Sequence, residues 1–384
     1  MRDATRLVTG GRHHPDEPHL VNPAVHRGST VLFPSLRALK QRGRESRLTY
    51  GRNGTPTTFA LEDAFAELEG ADGCVVAASG KAAIAVALTA FLEAGDHVLV
   101  TDNVYAPSRQ YCDRLLARFG VETTYFPPMI GADIARLIRP ETKLIFLESP
   151  GSQTFEVQDV PAVAAVARAH GVRTLLDNTW ATPLFFRPFD HGVDVAIHAG
   201  TKYVVGHSDA MLGLVTFKGE VGRALDAAVK DFGAPAGPDD CWLGLRGLRT
   251  LSVRLKQHEA AGLEVARWLE TRPEVTRVLH PALPSCPGHD LYRRDFLGSS
   301  GLFGFVMRPC AETALAAMLD HMELFGMGYS WGGYESLLIP TWPHRTAAAW
   351  ADDGQAMRIH VGLEDPADLI RDLEAGFDRL RDAA

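Results

Sequence analysis

The sequence predicts an α/β chain, with a large domain built on a mostly parallel sheet and a smaller C-terminal α+β domain. Three observations carry that prediction. Between about residues 59 and 217 a pattern of helix, glycine and short apolar run recurs; the runs are nearly continuous in apolar residues; and beyond about Gly247 the pattern changes. Strands apolar on both faces belong in parallel sheets covered by helices on both sides. Ligands of such sheets gather at the carboxyl ends of the strands.

In chain order, residues 1 to about 49 are rich in Pro, Gly, His and Arg with little periodicity. That suggests an extended arm packed on something else, such as a partner subunit. After the turn-rich YGRNGTPTT, Leu61, Ala64, Phe65 and Leu68 fall at i, i+3, i+4 and i+7, the stripe of an amphipathic helix that Gly70 stops. Residues 81–93 read as a helix ending near Gly95, followed by a strand over 97–101. LIFL at 144–147 is the next strand. Asp159 is placed to cap a helix with Pro161 in its first turn and Gly171 past its end, and a strand follows over 174–176. Further strands over 193–197 and 212–217 flank HAGTKYVVGHSD. A long helix over roughly 248–269, a Pro-rich connector, a strand over 301–307 and a final helix opening at Asp365-Pro366 make the smaller domain. The resulting division is 1–50 as arm, 51–247 as large domain and 248–384 as small domain.

Composition sets bounds on function. At 384 residues the chain exceeds the usual span of one core, and 46% apolar with 22% charged residues is ordinary for a globular protein. The net charge of −8 carries no basic block, and the Arg-rich run at 40–47 is interrupted by Gly43 and Glu45, so nucleic acid is not indicated as a partner. Five scattered cysteines form no C-x-x-C pair, which suits reduced thiols. His13-His14 lacks a second ligand cluster, so no metal is expected. With no apolar run of signal or membrane-spanning length, the expected compartment is the cytoplasm, without a membrane partner.

Asp177 closes the strand TLLD, so its carboxylate should emerge at the sheet's ligand-binding edge; a turn-forming Asp would look the same. Lys202 stands in a Gly-Thr-Lys-Tyr turn after another apolar strand and would point into the same crevice. A lone lysine is usually solvated. Together they suit pyridoxal 5′-phosphate (PLP) chemistry, which needs a lysine to form an imine and an acid to hold the pyridine nitrogen protonated.

YGRNGTPT, LESPGS, DNTWATP, TKYVVGHSDAM, GLRGLRTLSVRLKQH, RDFLGSSGLF, YSWGGYESL and RIHVGLED resemble the Cys/Met-metabolism PLP enzymes, from about Thr5 to Phe377. YGRNGT, LESPGS and YSWGGYES bring the likeness nearest to the bacterial cystathionine β-lyase branch. The resemblance implies an aspartate-aminotransferase-like (fold type I) large domain. It also implies β-elimination from cystathionine or another S-substituted cysteine, with a γ-lyase or γ-synthase as the rival on the same scaffold.

Carried over motif by motif, the resemblance makes Lys202 the imine-forming residue and later base, Asp177 the partner of the pyridinium nitrogen, and Thr201 a donor to the cofactor phosphate. Ser79, Gly80 and Lys81 open a helix whose N-terminus suits a phosphate. The family commonly has a small or apolar residue at the last of these positions; the ammonium of Lys81 either adds charge there or points to solvent. Tyr105 resembles the tyrosine that stacks on the cofactor ring and stands near the sulfur. Tyr50 and Arg52 resemble residues that a neighbouring subunit donates to the phosphate, the tyrosine also lying near the substrate. Arg358 falls where the family grips the substrate α-carboxylate, a task suited to a planar guanidinium. Ser330 and Trp331 would line that pocket, and the WGG wording, against SLGG in γ-synthases and γ-lyases, favours the β-lyase branch. Assembly as a homotetramer of site-sharing dimers is likewise implied. The run at 338–343 lies where side-chain selectivity could be set.

Overall fold

Helix Pro56–Glu69 shows how local sequence starts the fold. Thr55 and Thr58 cap it reciprocally, Pro56 stands where a missing N–H costs nothing, and Gly70 closes it in the left-handed region at φ 70°. Its stripe of Leu61, Phe65 and Leu68 is fully buried. The structure, a computed structural model, describes residues 1–12, 20–43, 46–350 and 352–383. His13 and His14 lie outside the described residues, as do positions 44 and 45 of the Arg-rich run.

Seven strands form the larger sheet: β1 Gly73–Ala77, β2 His97–Thr101, β3 Glu122–Phe126, β4 Thr142–Glu148, β5 Arg173–Asp177, β6 Val195–His198 and β7 Gly213–Phe217. Their order is β1-β7-β6-β5-β4-β2-β3, and β7 alone runs against its neighbours. The expected mostly parallel sheet is therefore present. Every residue of β2 is buried, as are Leu144, Ile145, Phe146 and Leu147 of β4, which accounts for their unbroken apolar runs. Helix Val160–Ala169 begins as expected, with Asp159 accepting a hydrogen bond from Ala162 N.

The smaller sheet is antiparallel, in the order β10-β11-β9-β8, from β8 Val275–Leu279, β9 Leu302–Met307, β10 Leu337–Thr341 and β11 Ala356–His360. Helices Leu251–Glu270, Glu312–Leu319 and Pro366–Asp382 cover it and share a core of Val265, Leu269, Phe303, Phe305, Met357, Ile359, Leu373 and Phe377.

Three local expectations need correction. The helix expected over 248–269 begins later, spanning Leu251–Glu270, and an unexpected helix, Pro238–Leu248, precedes it; the turn residues Arg249 and Thr250 part the two, Thr250 leaving helical geometry at φ −111° and ψ 3°. The Arg249 guanidinium leaves the helix line to donate to the carbonyls of Leu7 and Gly10, at 2.8 and 2.7 Å. Those carbonyls belong to a second departure from expectation: the arm begins with a short helix, Asp3–Thr9, whose Leu7 is buried against its own chain. Between Leu20 and Tyr50 the described residues are largely exposed, with no core of their own among them. Finally, the helix expected over 81–93 spans Gly80–Thr89, and its last part is a turn leading to Gly95 at φ 93°.

Candidate active site

The parallel strands deliver their last residues to one rim, where a cavity of about 390 Å³ opens. Its lining includes Ser79, Gly80 and Lys81 beyond β1, Tyr105 beyond β2, Glu148 at the end of β4, Asp177 at the end of β5, and Thr201 and Lys202 beyond β6. Strand β11 of the small sheet adds Arg358, and the turn before β10 adds Trp331. That volume lies in the range of small-molecule sites, and polar groups converging in a mostly apolar cleft are their usual sign.

Lys202 is the centre of this arrangement. Its Nζ donates to Ser330 Oγ at 2.7 Å and lies 5.3 Å from the centre of the Trp331 ring. Burial first, then the Arg358 charge, lowers its pKa from 10.5 to about 8, against the opposing pull of Asp177. An ε-amine in this setting is far more often neutral, hence nucleophilic, than a surface lysine. Ser330 meets it from a strained backbone, φ 86° for a non-glycine residue. Arg358 is itself aimed by that turn, donating to Ser330 O at 3.0 Å.

Asp177 is buried, and Thr179 holds its Oδ1 through the backbone N–H at 3.0 Å and the hydroxyl at 2.5 Å. Burial raises its pKa, while the Thr179 bonds, His198 and Lys202 pull it down. Glu148, its register neighbour on β4, is pushed further up, by burial and then by Asp177. Two adjacent carboxyls, one buried and one half-buried, do not both ionise readily, so the pair favours a cationic ligand group. Glu148 Oε2 accepts the Tyr105 backbone N–H at 2.7 Å, fixing the loop from which the half-exposed phenol reaches the cavity. Burial, Glu148 and Asp177 raise the Tyr105 pKa, so the ring stays a neutral donor.

Opposite the carboxyls lies the start of helix Gly80–Thr89. Ser79 Oγ caps Ala82 N at 3.1 Å, and the N–H groups of Gly80 and Lys81, in the first turn, have no intrahelical partner. A Cβ on Gly80 would come within 2.5 Å of Ala199 Cβ, so glycine lets the helix close on the lysine loop. This donor set fits PLP: an amine for its aldehyde, an acidic pair for its ring nitrogen and an anion cradle for its phosphate.

The structure thus brings Ser79, Gly80, Lys81, Tyr105, Asp177, Thr201, Lys202, Trp331 and Arg358 to one cavity, with Ser330 bonded behind it. The Thr201 hydroxyl is already engaged, donating to Leu212 O at 3.2 Å and accepting from Leu212 N at 2.9 Å. Tyr50 and Arg52 stand outside the cavity lining; Tyr50 is 43% exposed, with the Arg52 guanidinium 5.5 Å from its ring centre. Sequence reasoning assigned no role to Glu148 or Thr179. Glu148 ends LIFLE just as Asp177 ends TLLD, and that shared pattern was the available signal.

The family described as Cys/Met metabolism PLP-dependent enzyme matches residues 4–378. Several curated cystathionine beta-lyases are 40–50% identical over nearly the whole chain. That of Escherichia coli K12 is 46% identical, with 98% of each chain covered. An L-alanine/L-glutamate racemase of Wolbachia pipientis is 40% identical, covering 99% of this chain and 98% of its own. The crystal structure of cystathionine gamma synthase from Xanthomonas oryzae pv. oryzae, in complex with aminoacrylate and cysteine, superposes with a TM-score of 0.92 at 30% identity, over the full length of both chains.

Proposed function

From the premise that this chain belongs to the Cys/Met metabolism PLP-dependent enzyme family, we propose that it carries PLP on Lys202 and is a carbon–sulfur lyase acting on cystathionine. Elimination breaks the Cβ–S bond, and with one water the products are homocysteine, pyruvate and ammonia. The observation that carries the reading is the Lys202 ε-amine, depressed to about 8, sharing one cavity with Asp177 and Arg358.

When bound, the cofactor supplies an electron-accepting ring that stabilises charge developing at the substrate α-carbon. Asp177 holds the proton on the ring nitrogen, and the N–H groups of Gly80 and Lys81 bind the phosphate. Arg358 binds the α-carboxylate and so orients the α-C–H bond toward Lys202. Lys202 Nζ removes the α-proton; Ser330 Oγ then accepts a hydrogen bond from the ammonium. Lys202 or the Tyr105 phenol delivers a proton to the departing sulfur. Trp331 covers the amine and keeps water from it.

Identification of the keto acid tests the reaction. Pyruvate from cystathionine is expected, and 2-oxobutyrate as the main product would reassign the chain to γ-elimination. The racemase relative makes L-alanine the right second substrate: the same α-proton is removed, but no group can leave from the β-carbon. Turnover of L-alanine to D-alanine with no keto acid formed from cystathionine would overturn the lyase reading. Comparing cystine and S-alkyl cysteines separates cystathionine from other S-substituted cysteines.

The exposed arm supports a shared-site homotetramer. Leu20, Val21, Leu32 and Leu36 are each more than 60% exposed, and Tyr50 and Arg52 follow them on the same segment. In the assembly Tyr50 and Arg52 reach the phosphate and substrate of a neighbouring copy. Among the described residues no helix is long and apolar enough to cross a membrane, which fits a cytoplasmic enzyme.

A further inference from the structure

Strand β11 presents two side chains to the turn at 329–333. Arg358 and His360 are two residues apart and so share a face of the strand. Arg358 binds Ser330 O at 3.0 Å. His360 Nε2 lies 3.1 Å from Gly332 N and 3.2 Å from Gly333 O, so either neutral tautomer ties the ring to the turn.

The turn has little freedom of its own choosing. It contains no regular structure, and Ser330 and Gly332 both sit in the left-handed region, at φ 86° and 85°. It also presses on the Lys202 backbone: a Cβ on Gly332 would lie 2.9 Å from Tyr203 N and 3.1 Å from Lys202 Cα. A backbone held in sparsely populated conformations against a reactive lysine needs an external clamp.

We propose that His360 is that clamp: a positioning residue that fixes the turn at 329–333, and through it the contacts of Ser330 and Trp331 with Lys202. The ring is 1% exposed, and its Nδ1 has no partner among the described residues. It is braced by rings on two sides, His258 at 5.2 Å and Tyr203 at 5.9 Å; Tyr203 in turn lies 5.4 Å from Trp331. One packed cluster thus connects β11, helix Leu251–Glu270 and both neighbours of the turn. The titratable groups around the ring are His258, Arg358 and Lys202, and burial, the first cause, keeps His360 neutral well below 6.5. Of the two neutral tautomers, the one protonated at Nε2 and donating to Gly333 O leaves no buried N–H unmet at Nδ1, whereas a charged ring would leave one there.

The inference rests on Lys202 being the reactive amine, and the experiment separates the two. His360→Phe keeps a ring without a polar tip, His360→Asn keeps polarity without the reach, and His360→Gln places an amide where Nε2 stood. Holoenzyme turnover is read together with acylation of Lys202 in the cofactor-free protein, followed peptide by peptide across pH. The Phe or the Asn variant, whichever folds, should lose about tenfold or more in kcat with KM for cystathionine changed less than threefold, as expected when the base rather than the substrate is displaced. Its Lys202 acylation midpoint should move up toward that of an ordinary lysine as water enters. His360→Gln should recover most of both. Folded Phe or Asn variants with wild-type kcat and an unmoved midpoint overturn the clamp, as does a Gln variant no better than Asn. Full turnover in Lys202→Ala would instead overturn the reading on which the clamp stands.

Discussion

Gly332→Ala is the most economical perturbation of this site, since it adds one methyl group and removes no polar atom. At φ 85° an L-residue costs about 1–2 kcal/mol over glycine. The new Cβ would also meet Tyr203 N at 2.9 Å, Lys202 C at 3.0 Å and Lys202 Cα at 3.1 Å, all main-chain atoms with no rotamer to escape into. Reaching ordinary contact distance requires the turn and the lysine backbone to part by roughly half an ångström. That motion draws Ser330 Oγ away from Lys202 Nζ, now 2.7 Å apart, and a hydrogen bond to a charged amine is worth about 1.5–3 kcal/mol. At one decade per 1.36 kcal/mol, kcat/KM for cystathionine should fall about ten- to hundredfold. Thermal unfolding of the cofactor-loaded protein should drop by only a few degrees, because the strain is local. Steady-state kinetics beside a melting curve measures both. An alanine variant with wild-type kcat/KM would refute the coupling between turn and lysine.

In the cofactor-free protein, Lys202 should acylate with a midpoint near pH 8: below it the amine is protonated and inert, above it neutral and reactive. A midpoint near 10.5 would mean that the site does not desolvate the amine. Arg358→Ala should raise KM for cystathionine about ten- to hundredfold while the cofactor absorbance is retained, since a charged pair of hydrogen bonds to the carboxylate is lost; cofactor loss without a KM change would contradict its role. Mixing Tyr50→Phe with Lys202→Ala subunits, both impaired and shown to exchange, should restore part of the activity, and no recovery under verified exchange would speak against shared sites.

Much of the large sheet was legible because its strands are buried on both faces. β2 and β4 show as apolar runs for that reason, and the buried Leu175-Leu176 pair marks β5. β1 and β3 were not anticipated. GCVVA is too short to separate from a turn, and ETTYF places a mostly half-exposed, polar edge strand where only pairing with β2 defines it. The first helix was hidden because DATRLVT is poor in helix formers; what holds it is remote, the Arg249 guanidinium on the carbonyls of Leu7 and Gly10. Lys202 and Asp177 could be singled out because each follows an apolar strand in the same direction. His360 could not: in RIHVGLED it reads as one more inward residue, and its partners in the turn are nearly thirty positions away.

The reversal of β7 has a mechanical meaning for the residue that matters most. A parallel neighbour would have sent the chain from the end of β6 across the whole sheet before returning, leaving the lysine on an open connection. Because β7 runs backward, the segment that carries Lys202 leaves the rim at His198 and re-enters it at Gly213, with Thr201 and Leu212 stitched together at its neck. Lys202 therefore rides on a short purse drawn shut at its mouth. Lengthening that purse by a residue or two should loosen the amine, whereas insertions in the outward-facing connections should leave it where it stands.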